Sequence, residues 1–124
     1  MAARRTHTPL QIKRAYVAPD ASDGARVLVD RLWPRGCRRE ALQLRLWLRD
    51  LAPSDELRRW FGHDAARWPA FRERYLAELA AKDAALAPLR NLMAEGPVTL
   101  VYAAADVEHN NAVVLREYLL QRPA

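Results

Sequence analysis

The chain has one cysteine, Cys37, four glycines and only two lysines, Lys13 and Lys82, among 124 residues. One cysteine excludes an intrachain disulfide framework and a multi-cysteine zinc site. Scarce glycine excludes a flexible or repetitive chain. It also leaves no glycine-rich phosphate loop of the P-loop or dinucleotide-binding kind, and no cofactor is expected. His7, His63 and His109 are scattered, so no metal is expected either. No apolar run approaches the roughly 20 residues of a membrane span. The first residues, Met1-Ala2-Ala3-Arg4-Arg5, lead into no apolar signal core. A cytoplasmic protein without a membrane partner is the expectation.

What is present suits a single domain. Apolar residues make up 51% and charged residues 28%, an ordinary globular mixture. The net charge is +5. Arginine supplies 18 of the 20 basic residues, and alanine occurs 23 times, as a GC-rich coding bias would produce. The distribution says more than the total. Residues 1–49 hold 11 basic and 4 acidic side chains, whereas residues 50–124 hold 9 and 11. Such asymmetry points to an anionic partner.

Residues 1–9 read as a flexible basic tail before one domain over 10–121. Leu10–Val17 reads as a strand, ended by the turn cluster 19–24, where Asp23-Gly24 supplies positive φ. Arg26–Leu32 reads as a strand buried on both faces, stopped by Pro34 and Gly36. Leucines at 42, 44, 46 and 48 alternate as in a short strand, while Leu44, Trp47, Leu48 and Leu51 also fit a helical face. Ser54 caps a helix with Leu57, Trp60 and Phe61 inward, ended by Gly62. A longer helix follows His63-Asp64 to about Ala81, with Trp68, Phe71, Tyr75 and Leu79 as its buried stripe and Pro69 delaying or bending its first turn. Another runs to about Glu95, with Gly96 as its C′ residue. Val98–Ala104 is the clearest strand, and a final helix spans about Asn111 to Leu120. Strands separated by helices imply an α/β fold with a mostly parallel sheet flanked by helices.

In open α/β sheets, ligands gather beyond the carboxyl ends of the strands. The segments 30–36 and 102–111 leave the two best strands there. If those strands are neighbours, Arg31, Arg35, Trp33, Tyr102, Asp106, His109 and Asn110 surround one pocket. The planar forks of Arg31 and Arg35 match phosphate or carboxylate oxygens. Asn110 or Asn111 adds donors at a helix N-terminus. Asp30 either lines the pocket or pins the loop through an arginine network. His109 is the proton-handling group, oriented by Asp106 or Glu108. Cys37 sits among Arg35, Arg38 and Arg39, which favour a thiolate. Trp33 lies between Arg31 and Arg35, placed to stack on a base or guanidinium.

Taken together, certain segments resemble a known family. They are Val27-Leu-Val-Asp-Arg-Leu-Trp-Pro-Arg-Gly36, Trp60-Phe-Gly-His-Asp64, Val98-Thr-Leu-Val-Tyr-Ala-Ala104 and Glu108-His-Asn110. The chain closely resembles the YeaO-like bacterial family, a branch of a larger family of domains of unknown function, from about residue 10 to 120. The resemblance implies a small cytoplasmic α/β domain with no established reaction. It also implies a Val-Asp-Val-Arg strand end, met here as Val29-Asp30-Arg31. A Cys-His-Arg motif is implied after the last strand, and His109-Asn110-Asn111 stand in its place. Names suggesting transcriptional regulation are attached to such sequences, but no helix-turn-helix signature is present.

Three functions follow as expectations. The leading one is a small anionic ligand, phosphate- or nucleotide-type, in the strand-end pocket, with a hydrolase or transferase as its enzymatic form. The second is a nucleic-acid-binding or regulatory module using the basic N-terminal half. The third is a non-catalytic partner-binding domain. The oligomeric state is left open.

Overall fold

A computed structural model of the protein describes residues 9–121. The expected tail lies outside these residues except for Pro9. Four strands form one sheet: β1 (Leu10–Arg14), β2 (Ala25–Leu28), β3 (Leu46–Trp47) and β4 (Val98–Tyr102). Their order is β1-β4-β2-β3, and every pairing is parallel. The last strand in sequence is therefore central, and all five of its residues are buried. This is the α/β fold expected.

Alternation along the strands sorts side chains to two faces. Val27, Val29, Leu100 and Tyr102 enter the main core. Helices α2 (Asp55–Phe61), α3 (Trp68–Ala81), α4 (Ala87–Glu95) and α5 (Asn111–Gln121) contribute Leu57, Phe71, Leu89 and Leu115 to it. Leu28 and Val101 enter a smaller cluster with Ala15 and Leu42, flanked by Trp33, Cys37, Leu44 and Trp47. That second face is covered by the segment after β2 and by the one-turn helix α1 (Arg39–Leu42). It also holds a buried ion cluster. Asp23 takes Lys13 Nζ at 2.6 Å and Arg26 Nη1 at 2.7 Å, and Arg26 Nε donates to the Leu42 carbonyl at 2.7 Å.

Several boundaries differ from the sequence expectation, each for a local reason. The first strand ends at Arg14, where Val17 N–H turns back to the Arg14 carbonyl. The second ends at Leu28, because the chain leaves the ladder once Val29 N–H has reached the Val101 carbonyl. Segment 42–48 divides its two periodicities. Leu42 closes α1, Gln43 turns left-handed at φ 49°, and only Leu46 and Trp47 pair with β2. The long helix begins at Trp68, not near Asp64. Asp64 instead caps a separate 3₁₀ turn, accepting from Ala66 N–H at 3.0 Å. Pro69 thus falls in the first turn of α3, where its missing N–H has no helical partner to lose. Trp68 is only partly buried. Gly96 is extended at φ 165°, so it is not a left-handed cap, whereas Gly62 is one at φ 53°.

Gly24 is required twice over. Its φ is +65°, and a Cβ there would lie 2.1 Å from the Pro97 carbonyl oxygen. Ala25 N–H donates to that same oxygen at 2.9 Å, so the turn must abut the start of β4.

Candidate functional site at the strand ends

β2 and β4 are neighbours, so the two loops expected to meet do so. Asp30 is the joint. Its Oδ2 accepts from Ala103 N–H at 2.9 Å, and its Oδ1 accepts from the Asn111 amide at 3.1 Å. The same Asn111 amide donates to the Val29 carbonyl at 3.0 Å, and the Trp47 indole N–H donates to the Asp30 carbonyl at 2.7 Å. One aspartate thus ties β2 to the segment after β4, to α5 and to β3. Burial pushes its carboxyl above the ordinary value; the hydrogen bonds from Ala103 and Asn111 and the nearby His63 offset this only in part.

Arg31 turns toward the helical face. Its Nη2 donates to the Pro53 carbonyl at 3.4 Å, and its Nε lies 3.4 Å from Asp55 Oδ1 at the start of α2. That Nε is buried without a hydrogen bond. Arg35 is exposed, in a loop whose carbonyl accepts from the Tyr16 hydroxyl at 2.9 Å. The contacts of Arg31 therefore run to α2, and those at Arg35 run to the turn after β1. Arg14 uses its guanidinium on the carbonyls of Ala104 and Ala103, at 2.9 and 3.3 Å.

The 106–111 turn assembles as its spacing suggests. Asp106 Oδ1 accepts from the N–H groups of Glu108 and His109, at 2.9 and 3.0 Å. Its Oδ2 meets His109 Nδ1 at 2.9 Å. The Glu108 backbone first, then the His109 side chain, hold the Asp106 carboxyl below its ordinary value. The His109 ring stands edge-on to Trp68, 5.0 Å between centroids. Asn110 is 2% exposed and caps α5. Its Oδ1 accepts from Val113 N–H at 3.1 Å, and its amide donates to the Asp106 carbonyl at 2.9 Å. Tyr102 is buried beside it, and burial raises its phenol despite the nearby Arg14 charge and the Asn110 side chain.

Trp33 joins a different surface. With Trp47 it lines a groove of about 700 Å³, together with Arg39, Glu40 and Arg45. The Trp33 indole N–H donates to the Cys37 carbonyl at 2.8 Å, and the ring stands edge-on to Trp47 at 5.5 Å. The Arg49 guanidinium lies over the Trp47 ring, 4.0 Å from its centroid. Cys37 is a free, partly buried thiol at the border of the second core cluster.

Sequence reasoning missed the clamping amide of Asn111, the Trp47 bond to Asp30 and the part of Arg14. A pair of asparagines at one helix start was the available signal, since a single residue suffices as cap. Among the described residues, no group of three His, Cys, Asp or Glu side chains is placed to hold a metal. No helix among them is long and apolar enough to cross a membrane.

Comparison with known proteins bears out the resemblance. A family model described as "Inactive DUF488-N3 subclade" matches residues 9–124. The chain is 42% identical over 110 residues to the uncharacterized protein YeaO of Escherichia coli (strain K12), covering 89% of this chain and 96% of that protein. It is 43% identical over 112 residues to the uncharacterized protein Rv3073c of Mycobacterium tuberculosis (strain H37Rv), covering 90% and 94%. The uncharacterized protein Mb3100c of Mycobacterium bovis matches to the same extent. No solved structure matches.

Proposed function

We infer that this chain, which belongs to the inactive DUF488-N3 subclade, works by binding without turnover, and that its partner is a nucleic acid. The family description supports the first half, and so do the bonds at the strand ends. The side chains standing where the larger family's Cys-His-Arg motif is expected are spent on the fold. Asn110 caps α5, Asn111 clamps Asp30, and His109 meets Asp106.

One observation carries the second half. Residues 35–49 contain Arg35, Arg38, Arg39, Arg45 and Arg49 against the single acid Glu40, a net charge of +4 in a chain of +5. All five arginines are exposed. Among the described residues, none of them enters an ion pair; Arg26, Arg31, Arg58, Arg67, Arg72 and Arg90 do, and the exposed arginines that also lack one, Arg59, Arg74 and Arg116, are dispersed over α2, α3 and α5. Unneutralised arginines on one segment repel one another and gain from a polyanion, which releases counterions when they bind its phosphates.

The test is titration of the full chain into a fluorescently labelled oligonucleotide at low salt. Binding is expected, and the double reversal Arg39→Glu/Arg45→Glu weakens it by more than about tenfold. Absence of binding at low salt discards the reading.

A second reading is a small phosphate-type anion held by Arg31 at the strand end, where its buried Nε, 3.4 Å from Asp55 Oδ1, makes no hydrogen bond. Inorganic phosphate would then raise the melting temperature, and Arg31→Ala would remove that rise. A wild type unmoved by phosphate discards it.

A further inference from the structure

We propose that the Trp33–Trp47 groove seats a base of single-stranded nucleic acid, with Arg39, Arg45 and Arg49 on the neighbouring phosphates. This rests on the nucleic-acid reading above and adds which form of nucleic acid is taken. The argument begins with the two indoles. Tryptophan on a surface is a stacking platform for any base, because every base has a π face. A loose tryptophan would lose much of that gain to ordering. Neither ring here is loose. The Trp33 N–H is bonded to the Cys37 carbonyl at 2.8 Å, and the Trp47 N–H to the Asp30 carbonyl at 2.7 Å. The rings meet edge to face at 5.5 Å with planes 68° apart, so they form a fixed corner.

The groove they line has a volume of about 700 Å³, within the range of clefts that enclose small organic groups. Its lining carries charge that suits the phosphates of a strand. Arg39 and Arg45 line the groove, and Arg49 already lies over the Trp47 ring. Glu40 is the one acid in the lining. A duplex offers the same phosphates, but its bases are stacked and paired. Only an unpaired base can enter without the cost of flipping.

The experiment uses the full chain and three probes: a 12-nucleotide oligothymidylate, a 12-base-pair duplex and inorganic polyphosphate. The single strand is expected to bind about tenfold more tightly than the duplex, and to quench tryptophan fluorescence where polyphosphate does not. Trp33→Leu is expected to lower single-strand affinity about tenfold and to leave duplex affinity unchanged. Glu40→Gln, on an exposed side chain, raises affinity for both nucleic acids and keeps the preference between them. If Trp33→Leu fails to fold, quenching of the wild type by oligothymidylate and not by polyphosphate supports the seat. Its absence overturns the proposal. Equal binding of duplex and single strand, with no quenching, refutes the base seat but leaves the arginine surface standing. Binding of neither nucleic acid at low salt refutes the nucleic-acid reading itself.

Discussion

Asp23 and Asp30 stand just before and just after β2, and their surroundings pull the two carboxyls in opposite directions. Burial raises Asp23, but Lys13, the Asp20 backbone and Arg26 all donate to it, and together they hold it below its ordinary value. Asp30 is raised, since burial outweighs its donors from Ala103 and Asn111. The consequences for stability have opposite signs. A depressed carboxyl contributes stability above its unfolded value of about 4 and loses it as pH falls through the folded value. A raised one contributes below about pH 4 and loses its contribution as pH rises through the folded value. Asp23→Asn should therefore cost about 3–5 kcal/mol near neutrality, because it strands Arg26 and Lys13, and should flatten the loss of stability below about pH 4. Asp30→Asn should cost about 1–3 kcal/mol, since its amide nitrogen cannot accept one of the two bonds it inherits. Urea unfolding of both variants from pH 3 to pH 7 checks this. A shared pH profile would refute the assignment. Local spacing made the Asp106–His109 pair legible in the sequence, and it put Asn110 or Asn111 at a helix start without showing that Asn110 is the cap. The Asp30–Asn111 bond was not, because 81 positions separate the partners and only the parallel pairing of β2 with β4 brings them together.

At the scale of elements, the sequence spoke clearly where one period ran long enough and ambiguously where two overlapped. β4 is an unbroken apolar run buried throughout, and α3 is long and buries Phe71, Tyr75 and Leu79 of the expected stripe, with Trp68 only partly covered. Segment 39–48 is short, and it carries a helical turn and a strand in succession. No periodicity within it marks the left-handed Gln43 that separates them. The docking of helices was likewise outside the pattern. Ser54 was legible as a cap, and its Oγ does accept from Leu57 N–H at 3.2 Å. That the same residue is gripped by α3 was not legible. Glu78 accepts from Ser54 N–H at 2.9 Å and from Ser54 Oγ at 2.6 Å. This grip fixes the start of α2, and with it Pro53 and Asp55, the two partners of Arg31. A double-mutant cycle of Ser54→Ala and Glu78→Ala should show a coupling of about 1–2 kcal/mol in chemical unfolding. Additive losses would mean that the helices are set by apolar packing alone.

For the whole molecule, the decisive quantity is which charges are neutralised, not how many there are. The half-chain asymmetry was legible, but pairing was not, since contacts such as Arg72 with Glu117 join α3 to α5 across 45 positions. Outside residues 35–49 the chain has 15 basic and 14 acidic residues, close to balance. A protein binding through net charge alone would lose affinity equally from any arginine removed. One binding through the groove would not. If Arg39, Arg45 and Arg49 each meet one phosphate, log affinity for a single strand should fall with log salt at a slope of about −2, roughly 0.7 per phosphate neutralised. Arg45→Gln should reduce the slope by about that single increment. Arg72→Gln should leave it unchanged, because Glu73 and Glu117 already pair that side chain. Arg72 is the informative control: it matches the groove residues in charge, but it is paired and lies on α3, outside the groove lining. Equal slopes for Arg45→Gln and Arg72→Gln would assign the binding to diffuse charge and remove the groove from it.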